Sequence, residues 1–286
     1  MKNLNPIEEN LIDIYKSIAE KSQGTKKISL LGEVNTINER YELYSENRRN
    51  LSAIEQIDYS ENMDVKNHLL SCYGKNVTLN NLKADITKKQ ELYYQAKCPY
   101  CGLNSHGSFD HYLPKEDYPD FAVLALNLIP CCEKCNSIKG ERWKANNGDR
   151  LFINYYYDFV PQDKYLFAEI SFNKPSIAPT VSYKIVNNEK IDSLTFKIIE
   201  SHYNKLNLCS RFESHANDEI SNFFNETKLA AQEGVDKETQ KRTLIRKIKT
   251  NTDRAGRNNW LVSLYEAILE SSDFFNHCYN EELTYR

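Results

Sequence analysis

The stretch that decides the fold is "CPYCGLNSHGSFDHYLPKEDYPDFAVLALNLIPCCEKCNSIKGERW", residues 98–143. Two CxxC pairs stand near its ends, Cys98 with Cys101 and Cys132 with Cys135. Each pair presents two thiolates from one tight turn, and two such turns supply the four tetrahedral ligands of structural zinc. The spacing therefore predicts a closed four-cysteine zinc site.

The insert between the two pairs, residues 102–131, is longer than the usual spacing of a zinc ribbon, which predicts that it carries structure of its own. Cys131 could replace Cys132 as a ligand. That choice would give a CxxxC pair instead of two equal turns, so we assign Cys131 to packing.

The insert contains the pair Asp110-His111, and Asn136 directly follows the last cysteine of the zinc set. An imidazole can take a proton from water near neutral pH. Carboxylate and amide oxygens are hard ligands that suit Mg²⁺. Together these residues predict a site where a metal polarises a phosphate while histidine activates the attacking water.

The segments "FDHYLPK" and "LNLIPCCEKCNSIKG" resemble the signature of the HNH, or ββα-metal, endonucleases, in the form that ends in asparagine. The resemblance covers about residues 96–148. It implies that His111 is the general base, that Asn127 braces a hairpin, and that Asp110 and Asn136 hold a catalytic Mg²⁺, for which Mn²⁺ can substitute. Zinc would then be the structural ion.

The local patterns agree with that architecture. "FDHYL" and "NLIPCC" have the length of strands, and "NSIKGERWKA" can form a helix that starts at Asn136. Lys139 would lie one turn further on the same face, where we predict that it contacts a phosphate during catalysis, with Arg142 as a weaker candidate. Among the neighbouring side chains, Trp143 is assigned to the core and the following are expected at the surface: His106, Asp117 and Asp120.

The flanks differ from the cysteine region. Asn5-Pro6 followed by apolar residues at helical spacing predicts a helix to about residue 22, and a further helix is expected through Leu79 and Ile86. Alternating patterns over 166–172 and 181–185 predict two antiparallel strands. From Ser193 the pattern is helical again, ending in a helix through Trp260, Leu264 and Ile268.

The predicted fold class is therefore α+β. A zinc-braced ββα module over 96–150 lies between a mainly helical region, 1–95, and a C-terminal region, 151–286, in which a β-hairpin precedes helices.

The composition is that of a soluble globular protein, with 40% hydrophobic and 27% charged residues in 286. No apolar run is long enough for a bilayer, and the N-terminus lacks the core of a signal peptide, so we expect a cytoplasmic protein without a membrane partner.

The net charge of −3 means that any surface for nucleic acid must be local. The most basic stretch is 241–257, where Arg246 and Lys249 are candidates to contact DNA while Leu244, Ile245 and Ile248 face the core. An ordinary solvated helix face explains the same pattern equally well.

These expectations converge on a Mg²⁺-dependent endonuclease that hydrolyses DNA. The chain resembles standalone proteins of bacterial anti-phage systems of the Septu type, in which an HNH centre lies between helical flanks. This resemblance implies a role in defence, with an ATPase or a sensor protein as partner. Two alternatives stay open at this point. One is a four-cysteine zinc module that binds nucleic acid or protein without hydrolysis, and the other is an RNase or tRNase toxin built on the same centre.

Overall fold

A computed structural model describes residues 1–173 and 178–279 of the chain. The fold class is α+β, as predicted, with two small antiparallel sheets among many helices. The chain divides into two compact units, Asn3–Phe159 and a second unit formed by Met1–Lys2 with the described residues from Val160 onward. Within the described ranges, no helix has both the length and the apolar character needed to cross a membrane.

The unit Asn3–Phe159 contains helices at its start and the cysteine-rich stretch at its end. Its helices and strands run in this order: α1 (Leu11–Lys21), α2 (Gly24–Gly32), α3 (Val34–Glu46), α4 (Met63–Ser71), α5 (Val77–Lys88), α6 (Leu92–Ala96), β1 (Ser108–His111), β2 (Leu128–Cys131) and α7 (Glu133–Lys139).

The first helix begins later than the sequence pattern predicts, at Leu11 instead of just after Asn5. Asn5 is held elsewhere, because its backbone N–H donates to Gln90 Oε1 at 2.8 Å and its side chain donates to the Lys89 carbonyl. Asn10 takes the left-handed conformation immediately before the helix. Tertiary hydrogen bonds therefore override the N-cap signal of Asn5-Pro6. The helix predicted through Leu79 and Ile86 is confirmed as α5.

The N-terminal helices pack directly on the segment that joins β1 to β2. The Tyr44 hydroxyl, on α3, donates to the Leu126 carbonyl at 3.1 Å. Arg40, also on α3, forms an ion pair of 2.6 Å with Asp120. Asp120 is thus buried, and the expectation that it faces solvent was wrong, because the arginine compensates its charge in the interior. The region 1–95 and the cysteine stretch consequently share one compact unit.

The cysteine-rich stretch forms a β-hairpin followed by a helix. β1 and β2 pair antiparallel, with Asp110 opposite Ile129 and His111 opposite Leu128. The predicted strands are confirmed, but the helix boundaries are not. α7 begins at Glu133 because the Cys132 thiol caps it by accepting the Cys135 N–H, and it ends at Lys139 because Gly140 adopts a positive φ of 53°.

The second unit packs helices against its own hairpin. Its elements are β3 (Leu166–Asn173), β4 (Ala178–Ile185), α8 (Ser193–Lys205), α9 (Leu208–Gln232), α10 (Lys237–Ala255), α11 (Trp260–Glu270) and α12 (Ser272–Tyr279). β3 and β4 pair antiparallel as predicted, and α9 and α11 contact this sheet.

The apolar stripe predicted on α10 is only partly buried. Leu244 is fully buried, whereas Ile245 is 51% exposed. Ile245 and Ile248 line an open cleft of about 360 Å³ instead of entering the core. The prediction for Ile245 was therefore wrong, since a helical period identifies a face but not whether another element covers it.

Candidate functional site

Four buried cysteine side chains converge at the base of the hairpin. The Sγ atoms of Cys98, Cys101, Cys132 and Cys135 all lie within 4.8 Å of one another. The Cys101 and Cys132 sulfurs are 3.9 Å apart. Because zinc binds thiolate at about 2.3 Å, sulfurs at two corners of a tetrahedron should be separated by about 3.8 Å. The set therefore fits a tetrahedral zinc ion in number, spacing and chemistry.

The surroundings of the cluster favour a thiolate at Cys132. Cys132 Sγ accepts hydrogen bonds from the Cys135 backbone N–H at 3.4 Å and from Asn104 Nδ2 at 3.8 Å. Hydrogen bonds from the other three thiols hold the pKa of Cys132 far below its usual range. Cys131 lies outside the cluster, and burial raises the pKa of its thiol to about 12. Its assignment to packing is confirmed.

His111 is the last residue of strand β1. Its Nε2 is 2.9 Å from the Ala122 carbonyl oxygen. A carbonyl can only accept, so Nε2 carries the proton of the neutral ring and Nδ1 is the basic nitrogen. Burial lowers the pKa of His111 to about 4, although the Ala122 carbonyl and Asp110 oppose that shift. The imidazole is thus a neutral, oriented base at neutral pH.

Aromatic and basic side chains border the face of β1 that carries His111. The Tyr73 ring packs edge-on against the imidazole, with ring centroids 4.3 Å apart. Lys83 Nζ lies 4.0 Å from the Tyr73 ring centroid and 5.7 Å from that of Phe109. Phe109 and His111 are two residues apart on one strand and so point to the same side. A lysine therefore lies against the aromatic ring that packs on the predicted base.

Asp110 points to the opposite side of β1, into the interior, where it is 2% exposed. Its Oδ2 accepts a hydrogen bond from the Tyr100 hydroxyl at 2.7 Å. Its Oδ1 forms an ion pair of 2.9 Å with Lys139 Nζ, which also donates to the His111 carbonyl at 2.9 Å. Lys139 is itself fully buried. Asp110 and Lys139 form a closed, hydrogen-bonded pair between β1 and α7.

This pair does not fit the predicted magnesium site. A ligand of Mg²⁺ needs a free oxygen lone pair facing a hydrated opening. Both oxygens of Asp110 are engaged in the interior, and an ammonium already balances the carboxylate charge. Asn136 is partly exposed and its Nδ2 donates to Ser108 Oγ at 3.3 Å. The prediction that Asp110 and Asn136 hold Mg²⁺ is therefore not supported by their environment.

The same pair corrects the prediction for Lys139. Its ammonium is inside the protein and is paired with Asp110, so it cannot contact a phosphate as the structure stands. Arg142 is exposed, and its guanidinium donates to the Ile138 carbonyl at the end of α7. Arg246 and Lys249 are exposed on α10, which belongs to the second unit, whereas His111 belongs to the first. Their contacts with nucleic acid stay predictions.

Asn127 is fully buried where the connecting segment enters β2. Its Oδ1 accepts the Leu113 N–H at 2.8 Å, and its Nδ2 donates to the Leu113 carbonyl at 2.9 Å. These two bonds tie the segment that follows β1 to the residue that precedes β2. Asn127 thereby fixes the loop whose Ala122 carbonyl orients His111.

Several contributing residues were missed from the sequence. Tyr100 lies inside the first CxxC turn and binds Asp110, and Tyr73 packs on His111 from a distant helix end. Tyr100 could have been identified from its position between Cys98 and Cys101, because a CxxC turn places its inner residues beside the element that the metal holds. Tyr73 had no such signal. His106, expected at the surface, is partly buried, with its ring Nε2 2.5 Å from the Gln95 carbonyl oxygen, whereas Trp143 is buried as predicted.

We predict that Lys139→Met destabilises the unit Asn3–Phe159 by about 3–5 kcal/mol, because it leaves the Asp110 carboxylate buried without a counter-charge. The double variant Asp110→Asn/Lys139→Met removes both charges and should recover most of that loss. Urea unfolding of zinc-loaded protein, followed for wild type, both single variants and the double variant, measures the coupling. Strictly additive losses would contradict the pair.

Two curated proteins are similar to the chain. It is 23% identical over 214 residues to Protein ea31 of Escherichia phage lambda, a match that covers 68% of this chain and 71% of that protein. It is 39% identical over 49 residues to Septu protein PtuB of Bacillus thuringiensis, which covers 15% of this chain and 19% of that protein. No family model matches the chain, and no solved structure matches it significantly. The second similarity is local and spans a small part of either protein.

Proposed function

We propose that the chain is an HNH-type endonuclease that hydrolyses phosphodiester bonds of DNA, with His111 as the general base. The observation that carries the proposal is the orientation of His111 on the hairpin. The Ala122 carbonyl fixes the proton on Nε2, which leaves Nδ1 as the proton acceptor. The four-cysteine cluster and Asn127 hold the two ends of the same hairpin.

In this reaction Nδ1 of His111 takes a proton from a water molecule as its oxygen attacks phosphorus. The bond from phosphorus to the 3′ oxygen breaks, so the products end in a 5′-phosphate and a 3′-hydroxyl. The lowered pKa keeps the ring unprotonated at neutral pH. We assign no step to a magnesium ion on Asp110, because Lys139 neutralises that carboxylate.

The local similarity to a Septu protein and the broader similarity to a phage protein support a role in the conflict between bacteria and phages. We propose that the chain acts in anti-phage defence together with a partner, an ATPase or a sensor protein. The net charge of −3 supports a partner as well, since it disfavours strong unassisted binding to a polyanion.

The proposal predicts that zinc-loaded protein cuts DNA and leaves RNA of the same sequence intact. The assay uses supercoiled plasmid, linear duplex and the matching RNA, each without added divalent ion and with Mg²⁺ or Mn²⁺, and analyses the product ends. Cleavage of RNA alone would favour the RNase alternative. Binding without cleavage under every condition would favour a zinc module without hydrolytic activity.

A further inference from the structure

A basic cleft of about 530 Å³ opens in the same unit as His111. It lies where the end of α1 meets the starts of α2 and α5. Three lysines line it, Lys21, Lys26 and Lys75, and none of its described lining residues is aspartate or glutamate. We call it the lysine cleft. The whole chain has a net charge of −3, so the positive charge of this cleft is a local departure from the overall charge.

Helix ends of both signs meet at the lysine cleft. Val77 and Thr78 are in the first turn of α5, a helix of 12 residues, and Lys26 is in the first turn of α2, a helix of nine. The N-terminal end of a helix carries a partial positive charge and favours anions, whereas the C-terminal end of α1, which also lines the cleft, carries the opposite charge. Lys21 Nζ donates to Thr78 Oγ1 at 3.0 Å, which ties the end of α1 to the start of α5. The three ammonium groups therefore supply the net positive charge of this concave surface.

Helix α10 carries more cations, including the exposed Arg246 and Lys249, but it belongs to the second unit, whereas the lysine cleft shares a unit with His111. The cleft of the second unit contains two basic residues, Lys164 and Arg257, but both pair with Glu266, at 2.6 and 3.2 Å. On α10, Lys241 pairs with Glu238, and Lys247 lies over the Phe223 and Tyr265 rings. The two exposed lysines of the lysine cleft, Lys21 and Lys75, keep their ammonium groups at the surface.

The lysine cleft continues toward His111 along the chain. Gly74 and Lys75 line the cleft, and the residue before them is Tyr73, whose ring packs on the His111 ring. Lys83 also lies against the Tyr73 ring. Cationic side chains therefore lie both in the cleft and against Tyr73, which packs on the proposed base. An extended polyanion can contact several such groups, whereas a single small anion would contact one.

We propose that the lysine cleft binds the sugar-phosphate backbone of the DNA substrate and leads the strand past Tyr73 to His111. The inference rests on the proposed function for its substrate. It differs from the expectation drawn from the sequence, which placed nucleic-acid contacts on α10.

The test measures binding of a short fluorescein-labelled DNA duplex by anisotropy across a salt series, without added divalent ions. The parent is the His111→Ala variant, so that cleavage cannot interfere. In that parent, Lys21→Ala/Lys26→Ala/Lys75→Ala should weaken binding by about tenfold or more. It should also lower the slope of log affinity against log salt by about two to three, because three phosphate contacts no longer release counterions.

The matched control removes three exposed lysines of the second unit that lie outside α10, with Lys184→Ala/Lys190→Ala/Lys205→Ala in the same parent, and should leave affinity and salt slope unchanged. Zinc content and melting temperature verify that both triple variants are folded. If the cleft triple is not folded, Lys75→Glu alone should still weaken binding, since Lys75 is exposed. A cleft variant that binds like its parent, or a loss of binding confined to the control variant, would overturn the proposal.

The two proposals can fail separately. If the parent binds DNA through the lysine cleft but wild-type protein never cuts it, the endonuclease proposal is wrong and the cleft proposal stands. If wild-type protein cuts DNA and the cleft substitutions do not change its KM for DNA, the cleft proposal is wrong and the endonuclease proposal stands.

Discussion

Cys132→Ala is expected to abolish zinc binding and unfold the hairpin with α7, whereas Cys131→Ala should retain zinc and the fold. Cys132 supplies one of the four sulfurs of the cluster and also caps α7. Structural zinc contributes about 10–16 kcal/mol to the folding of small zinc domains, as much as a whole domain's net stability. Loss of one ligand should therefore be far more costly than loss of the neighbouring buried thiol.

The measurement is elemental analysis of freshly purified protein together with thermal unfolding before and after chelation. Wild type and Cys131→Ala should carry one zinc per chain and lose cooperative unfolding of the unit Asn3–Phe159 when zinc is removed. Cys98→Ala should behave like Cys132→Ala, because both residues belong to the same cluster. Zinc retained by Cys132→Ala and lost by Cys131→Ala would exchange the roles of the two residues.

Much of the zinc hairpin was predictable because its signals are local. A CxxC turn fixes two ligands within four residues, and short apolar runs set the strands β1 and β2. The end of α7 was predictable too, since glycine commonly follows the last helical residue, yet the predicted helix "NSIKGERWKA" includes Gly140 in its interior. The start of α7 was not, because it depends on the Cys132 thiol acting as a cap.

The chemistry of Asp110 could not be predicted from its position beside His111. Neighbouring residues on a strand face opposite sides, and which side is interior depends on what packs there. On β1 the interior side is the one that carries Asp110, because Tyr100 and Lys139 bond to its carboxylate there. Tyr100 lies in the first cysteine turn and Lys139 lies on α7. Likewise the lysine cleft joins the turn between α1 and α2 to the start of α5, which is distant in sequence, so no single basic run in the sequence predicts it.

His111→Ala should lower the rate of DNA cleavage by about 10²- to 10⁴-fold, the usual contribution of a positioned general base. The variant lacks the imidazole that accepts the proton of water, while the zinc cluster and the Asn127 brace stay in place. His106→Ala is the matched control, because His106 lies in the loop just before β1 and its ring contacts the Gln95 carbonyl, not the Ala122 carbonyl. Its cleavage rate should equal that of wild type.

The most direct test of the endonuclease is therefore the single-turnover rate of plasmid cleavage for wild type, His111→Ala and His106→Ala at equal zinc content and equal melting temperature. The account predicts cleavage by wild type and His106→Ala, and almost none by His111→Ala. Equal rates in wild type and His111→Ala would contradict it.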